Sequence, residues 1–220
     1  MKLHHVPGSR SCRVIWLLEE LGGLDYEVLT YRLGDPRLRS PEYLALNPSG
    51  RVPTFEDGGI AFHESGAIVQ YLLELHGKGR LEPATDSAAR GPYLQWLHWS
   101  EASLMPPLGQ INAHKFVLRE ADRIPQALDL ARRQFAKALG QLDQALERAD
   151  HLVENRFTAA DLMAGYGIAL AGMVGELPEK PRAIHAWFAR LSERPAFQRA
   201  FAGGFGGSDT RSSGTSSAGA

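Results

Sequence analysis

The chain has 220 residues, a formal net charge of −1 and one cysteine, and 44% of its residues are hydrophobic. This composition is typical of a folded globular protein and excludes a disordered chain. The balanced charge argues against a nucleic-acid partner, and the longest apolar-leaning stretch, residues 164–175, is too short and glycine-rich for a membrane span. The lone Cys12 excludes an intrachain disulfide framework and a cysteine-cluster zinc site. With no secretory signal pattern at the N-terminus, we expect a cytoplasmic protein.

Residues 1–78 predict a small α/β domain. In chain order the expected elements are a strand at 2–6, a helix at 9–21, a strand at 26–32, a helical turn at 41–46, strands at 53–56 and 59–62, and a helix at 64–75. The first helix is apolar on both sides, which predicts that it is covered on both sides. Asp57-Gly58 between two short strands predicts a hairpin turn of type I′. The order βαβαββα predicts a mixed sheet.

The rest of the chain has a helical hydrophobic period. Residues 79–88 are predicted to be a linker, residues 89–202 an all-α helical bundle, and residues 203–220, which are mostly Gly, Ser, Thr and Ala, a flexible tail. Pro106-Pro107 must kink or interrupt the long segment at 92–116. Thr158 and Asp161 have the spacing of a capping box, which predicts the start of a helix there.

The junction between the first strand and the first helix carries hydroxyl groups. Ser9 and Ser11 lie where the free amide groups of the helix N-terminus favour an anion, and α/β folds build sites at such strand ends. The alternative is an ordinary helix cap. Cys12 is at the same junction, where its thiolate would be favoured, but the apolar surroundings of its helix favour a buried packing role.

Two further motifs suit the recognition of a peptide-like ligand. Pro53 opens a strand, and a cis Val52-Pro53 bond would turn the Val52 backbone outward to pair with an extended peptide. Glu64 and Ser65 begin a helix, where the Ser65 hydroxyl suits a carboxylate and Glu64 an ammonium group. Those are the two ends of an α-amino acid. An N-cap with an acidic neighbour is the alternative for this pair.

Four motifs occur together and in order, namely Pro7-Gly8-Ser9-x-x-Cys12-Arg13, Asn47-Pro-x-x-x-Val52-Pro53-Thr54, Glu64-Ser65-x-Ala67-Ile68-x-x-Tyr71-Leu72 and Phe157-Thr-x-x-Asp161. In this combination the chain resembles the cytosolic glutathione transferase family over residues 1–202. The resemblance implies a thioredoxin-like N-terminal domain followed by an all-α domain, and a homodimer. It also implies that glutathione is the co-substrate and that a hydrophobic electrophile is the second substrate.

The resemblance also implies roles for single residues. Ser9 aligns with the catalytic serine of theta- and delta-like members, whose hydroxyl hydrogen-bonds the glutathione sulfur, and Ser11 is its alternate. The residues expected to bind glutathione are Arg51, Val52, Pro53, Glu64, Ser65 and Glu101, the last of them across the dimer axis. The residues expected to line the electrophile pocket are Trp99, Ser103 and Met105, unless that stripe is bundle core.

The chain departs from the family pattern at three positions. The first strand has no tyrosine where alpha, mu and pi members carry theirs, and the residue after Ser9 is not the cysteine of beta- and omega-like members. Gly50 replaces the histidine that delta-like members often have, which weakens the assignment of Arg51 to the glycyl carboxylate.

These observations predict a glutathione transferase that activates the glutathione thiol for attack on hydrophobic electrophiles, or that also acts as a glutathione peroxidase. The alternatives are a non-catalytic interaction module with a transferase-like fold and a thiol-disulfide reductase based on Cys12. The eight histidines show no metal-ligand spacing, so no metal is expected.

Overall fold

The computed structural model describes residues 1–204. Its four strands are β1 (Lys2–His5), β2 (Glu27–Thr30), β3 (Thr54–Asp57) and β4 (Ile60–His63). They form one sheet in the order β2-β1-β3-β4. The β1–β2 pair is parallel, whereas β3 pairs antiparallel with both β1 and β4. The predicted mixed sheet is therefore present.

Helices account for most of the remaining chain. In the first part they are α1 (Ser11–Leu21), α2 (Pro41–Leu46) and α3 (Ser65–Leu72). The second part contains α4 (Arg90–Trp99), α5 (Met105–Asn112), α6 (Pro125–Leu146), α7 (Ala159–Met173), α8 (Arg182–Ser192) and α9 (Pro195–Ala200). Short 3₁₀ turns lie at Pro36–Arg39 and Glu120–Asp122. Between residues 1 and 204, no helix has the length and apolar character needed to cross a bilayer.

Helix α1 is covered on two sides, as its sequence predicts. It packs against β1 and α3 on one side and against α7 and α9 on the other. Its Trp16 is fully buried and makes ring contacts with Phe157, Phe197 and Phe201. Because these rings belong to the second half of the chain, α1 joins the sheet to the helical bundle in one continuous core.

The β3–β4 hairpin turns one residue later than predicted. Asp57 pairs with Ile60 inside the ladder, and the two central turn residues are Gly58 and Gly59, with φ angles of 54° and 84°. Two glycines meet the need for positive φ at both positions with less strain than Asp57-Gly58 would. The predicted turn type is correct and its register is wrong.

The segment predicted at 92–116 stays helical through its prolines. A π-helical turn at Ser100–Leu104 separates α4 from α5, and a second one at Ala113–Val117 follows α5. Pro106 and Pro107 fall in the first turn of α5, where the missing N–H groups would have few helical partners. The π turn therefore absorbs the disruption that the two prolines cause.

The capping box predicted at the start of α7 is formed. The buried Asp161 carboxylate accepts from the Thr158 amide at 3.0 Å, from the Leu152 amide at 3.0 Å and from Trp187 Nε1 at 2.9 Å. Helix α7 forms the centre of the bundle. Residues 201–204 form a turn, and the remainder of the predicted tail lies outside the described residues.

Candidate functional site

The turn between β1 and α1 presents the Ser9 hydroxyl. Helix α1 begins at Ser11, two residues later than predicted, so Ser9 belongs to the turn. The turn is closed by a hydrogen bond from the Ser9 amide to the Val6 carbonyl at 3.1 Å, and the Cys12 amide donates to the Ser9 carbonyl at 2.9 Å. The Ser9 side chain is half-buried, so it can meet a ligand at the surface of the protein.

Ser11 lies behind Ser9 rather than beside it. It is fully buried, and its Oγ is 2.7 Å from Ser9 Oγ and 2.7 Å from Nδ1 of His5. His5 is also buried, and this burial lowers its pKa from the ordinary 6.5 to about 4. The imidazole is therefore neutral near neutral pH. Three side chains thus form a hydrogen-bonded row that ends at the half-exposed Ser9.

The loop before β3 exposes a stretch of backbone. The Val52-Pro53 bond is cis, which is the form that the outward-facing Val52 backbone requires. The Arg51 carbonyl accepts from the Tyr43 hydroxyl at 2.6 Å and from Nδ2 of Asn47 at 2.9 Å, which fixes the loop in place. The backbone N–H and C=O of Val52 make no hydrogen bond within residues 1–204, so both remain available to a ligand.

Glu64 and Ser65 mark the start of α3. Glu64 is exposed and has a φ of 77°, a left-handed conformation that is unusual for a residue with a side chain. Ser65 is buried, and its Oγ accepts a hydrogen bond from Nη1 of Arg13 at 3.1 Å. The strained backbone at Glu64 thus places an exposed carboxylate next to the first amides of α3.

Arg13 is a fully buried cation behind this end of the cleft. Besides Ser65, its guanidinium donates to Glu101 and, at 2.9 Å, to the Met163 carbonyl, and it lies 4.6 Å from the centre of the Tyr166 ring. Burial lowers the Arg13 pKa, and the nearby Glu101 carboxylate opposes that effect. Through Arg13, helix α1 is therefore hydrogen-bonded to α3, to the π-helical turn Ser100–Leu104 and to α7.

Glu101 belongs to the cleft of its own chain. It is the single acidic residue of the π-helical turn Ser100–Leu104, and it pairs with Arg10 at 3.2 Å as well as with Arg13. About a third of its side chain is exposed. Glu101 lines the same cavity as Ser65, and its predicted reach across a dimer axis stays a prediction.

Two adjoining cavities meet at the Ser9 turn. The first has a volume of 180 Å³ and is lined by Arg10, Asn47, Ser49, Arg51, Val52, Pro53, His63, Glu64, Ser65 and Glu101. All six residues predicted to bind glutathione are in this set. The second has a volume of 710 Å³, and its lining includes Ser9, Val6, Met105, Tyr166, Leu170 and Met173. Arg10, Arg51 and Val52 border both cavities.

The predicted electrophile-pocket residues divide between two surfaces. Met105 lines the larger cavity, but Trp99 and Ser103 do not. The Trp99 ring packs edge-on against Trp96, and its Nε1 donates to Gln141 at 3.0 Å, which directs it toward α6. Ser103 belongs to the π-helical turn Ser100–Leu104, which separates Trp99 on α4 from Met105 on α5. Of the three residues, Met105 borders the cavity beside Ser9, and the assignment of Trp99 and Ser103 to an electrophile pocket stays a prediction.

The comparison with known families agrees with this geometry. A family model for the N-terminal domain of glutathione S-transferases matches residues 3–83, and one for the C-terminal domain matches residues 108–195. The chain belongs to the glutathione S-transferase family. Glutathione S-transferase 3 of Schizosaccharomyces pombe is 32% identical to this transferase over 206 residues, which cover 88% of this chain and 84% of the relative.

Solved structures share the fold of this transferase. A glutathione transferase homolog from Lodderomyces elongisporus, crystallised with two GSH per subunit, superposes with a TM-score of 0.82 at 27% identity, covering 92% of this chain and 98% of the other. The glutathione transferase URE2P6 from Phanerochaete chrysosporium, in complex with oxidized glutathione, gives 0.81 at 27% identity, covering 92% and 94%. The predicted combination of a thioredoxin-like domain and a helical domain is confirmed, and the protein is a glutathione transferase.

The single thiol of this transferase is remote from the cleft surface. Cys12 is fully buried, and burial raises its pKa to about 11. A protonated, buried thiol is a poor nucleophile, so the reductase alternative based on Cys12 is not favoured. Between residues 1 and 204, no three His, Cys, Asp or Glu side chains are grouped where they could hold a metal ion.

Two residues of this site were not assigned a role from the sequence. Arg13 and His5 both lie behind the cleft and contact Ser65 and Ser11, respectively. A charged residue in the middle of a helix that is apolar on both sides was a usable signal for Arg13. His5 gave no such signal, because its partner is six residues away across a turn whose geometry the sequence does not specify.

Proposed function

We propose that this glutathione transferase activates the glutathione thiol through the Ser9 hydroxyl, which donates a hydrogen bond to the sulfur and favours the thiolate. One observation carries the proposal: Ser9 lines the large apolar cavity near its border with the polar cleft that contains Val52, Glu64 and Ser65. A thiolate at that border would have the peptide-binding cleft on one side and space for an electrophile on the other. The site would thus both stabilise the nucleophile and align it.

The polar cleft supports one orientation of glutathione. The free backbone N–H and C=O of Val52 would pair with the cysteinyl part of the tripeptide, as one strand pairs with another. At one end, Ser65 and the first amides of α3 would hold the γ-glutamyl carboxylate, and Glu64 and Glu101 would accept from its ammonium group. At the other end, Arg51 would meet the glycyl carboxylate.

The larger cavity supports a hydrophobic electrophile as the second substrate. Met105 and Leu170 are buried residues that line this cavity. Three exposed apolar side chains also line it, namely Leu33, Val117 and Met173. Exposed apolar side chains around a cavity are typical of a site that takes an apolar ligand. Conjugation to such electrophiles is the reaction that this arrangement supports best. We also propose that the enzyme is a theta- or delta-like homodimer of the cytoplasm.

The test of the Ser9 role is conjugation of glutathione to a chloronitrobenzene-type acceptor by wild type and Ser9→Ala. Loss of a donor that lowers the thiol pKa by one or two units should lower kcat/KM about tenfold to a hundredfold near neutral pH. Binding of glutathione, measured by calorimetry, should change little, because Val52 and Ser65 remain. Ser192→Ala is the matched control, since Ser192 lies outside both cavities and its half-buried hydroxyl donates only to the Ala189 carbonyl of its own helix.

The outcomes separate three hypotheses. Equal rates for wild type and Ser9→Ala would remove the proposed role of the Ser9 hydroxyl. The non-catalytic interaction module predicts no heat of glutathione binding at millimolar concentration, even for the wild type. Loss of glutathione-dependent disulfide reduction in Cys12→Ala, with Ser9→Ala fully active in the same assay, would restore the reductase alternative.

A further inference from the structure

Ser9 stands at the end of a hydrogen-bonded row whose direction decides what it can do. Ser11 Oγ has one proton and two lone pairs. The Val6 amide, 3.3 Å away, occupies one lone pair, which leaves one proton and one lone pair for the two closer partners, His5 Nδ1 and Ser9 Oγ, each at 2.7 Å. The Val6 carbonyl at 3.3 Å is a more distant acceptor for the same proton. The row therefore runs either from His5 to Ser9 or from Ser9 to His5.

The two directions have opposite consequences at the cleft. If Nδ1 of His5 donates to Ser11, then Ser11 donates to Ser9, and Ser9 Oγ also accepts from the Ser11 amide at 3.3 Å. Its own proton is then left to point out of the row. If Nδ1 accepts instead, Ser11 donates to His5 and Ser9 donates to Ser11, so the Ser9 proton is used inside the protein. Only the first direction leaves Ser9 a donor for a thiolate.

We propose that His5 is a positioning residue of this transferase, because it donates its Nδ1 proton to Ser11 and thereby directs the Ser9 proton into the cleft. The proposal rests on the proposed function of Ser9. His5 reaches no ligand itself, since it lies behind Ser11, which has no exposed surface. Its effect passes through two hydroxyl groups that are already in contact, and each bond in the row polarises the next.

A competing hypothesis makes His5 a general base that accepts the thiol proton through the same row. That role needs an imidazole whose pKa lies near the working pH. Burial lowers the pKa of His5 to about 4, because a charged ring would lose its hydration and gains no carboxylate partner in this position. A neutral ring that donates is compatible with that environment, whereas an imidazolium is not.

The chain provides a matched control on the same strand. His4 is buried like His5, but its ring is bound to the Tyr31 hydroxyl at 2.9 Å and to Glu56 at 2.8 Å, away from the serines. Removing either imidazole disturbs the buried surface of β1. Only removal of His5 also breaks the hydrogen bond to Ser11 and so affects Ser9. A difference between the two variants therefore reports the hydrogen-bonded row and not the packing of the strand.

The experiment measures the pKa of the bound glutathione thiol from the ultraviolet absorbance of the thiolate against pH, with kcat and KM measured alongside. His5→Leu should raise that pKa by about half to one unit and lower kcat/KM about three- to tenfold near neutral pH, with KM for glutathione nearly unchanged. His5→Asn keeps a neutral donor near the Nδ1 position and should restore most of the loss. His4→Leu should leave the thiol pKa unchanged.

The other possible results of these measurements contradict either the role of His5 or the role of Ser9. If Ser9→Ala raises the thiol pKa and His5→Leu does not, the positioning role of His5 is wrong and the role of Ser9 stands. If Ser9→Ala also has no effect, the proposed function fails and this inference fails with it. If His5→Asn is as impaired as His5→Leu, the base hypothesis replaces the donor hypothesis. Should His5→Leu not fold, His5→Ala removes the same imidazole, leaves both serines in place and carries the same prediction.

Discussion

The neutral state of buried His5 predicts how the stability of this transferase changes with pH. Its pKa is about 4 in the folded protein and 6.5 as an ordinary value for the unfolded chain. As pH falls below 6.5, the unfolded chain takes up a proton that the folded protein does not, so acid favours unfolding. Since one pKa unit corresponds to about 1.4 kcal/mol, the full effect is about 3 kcal/mol, and about 2 kcal/mol of it is lost by about pH 5.

The assay compares the free energy of unfolding in urea for wild type and His5→Asn between about pH 7 and about pH 5. Asn does not titrate, so its curve should lack this part of the pH dependence, and the wild type should lose about 2 kcal/mol relative to it. His98→Asn removes an exposed imidazole and should follow the wild type. Parallel curves for wild type and His5→Asn would refute the reasoning, because they would mean that His5 gains a proton equally well in both states.

Two further predictions concern two buried charged residues, Asp161 at the start of α7 and Arg13 behind the cleft. Asp161→Ala should lower the free energy of unfolding by about 3 to 5 kcal/mol, since three donors, two of them fully buried, lose their acceptor, and a loss below about 1 kcal/mol in urea would contradict the capping network. Arg13→Met should weaken glutathione binding at least about tenfold in calorimetry, because Ser65 and Glu101 lose the cation that positions them. Arg13→Lys should not restore it, since one ammonium cannot replace two guanidinium nitrogens, and wild-type affinity in either variant would refute this role.

Local patterns were sufficient for most of the fold. The strand and helix order of the first domain, the two-sided burial of α1 and the capping box before α7 all follow from apolar spacing and from residues that end or begin elements. The hairpin between β3 and β4 was predicted one residue out of register. Asp-Gly and Gly-Gly turns both satisfy the same backbone requirement, and the pairing that selects between them is not local.

The candidate site was only partly accessible to sequence reasoning. Residues that belong to short motifs, such as Ser9, Val52 and Ser65, were placed together by the fold. Trp99 and Ser103 were expected in the pocket because the resemblance implies that their helix faces the cleft, whereas only Met105 of the three lines the larger cavity. A stripe of apolar side chains on a helix does not show by itself which neighbour each side chain faces, and Nε1 of Trp99 bonds Gln141 of α6. The order of Ser9 and Ser11 from the surface inward also depends on where α1 begins, and that boundary was two residues off.

The position of buried Arg13, behind one end of the cleft, depends on residues that are synthesised much later than Arg13 itself. The guanidinium comes from the first helix, yet it is neutralised by Glu101 and anchored on the Met163 carbonyl. A fragment that stops before residue 101 would carry the Ser9, Val52 and Ser65 motifs intact and still leave this cation without its counter-ion. The N-terminal half therefore encodes the Arg13 side chain but neither of the two partners, Glu101 and the Met163 carbonyl, that hold it from the helical half.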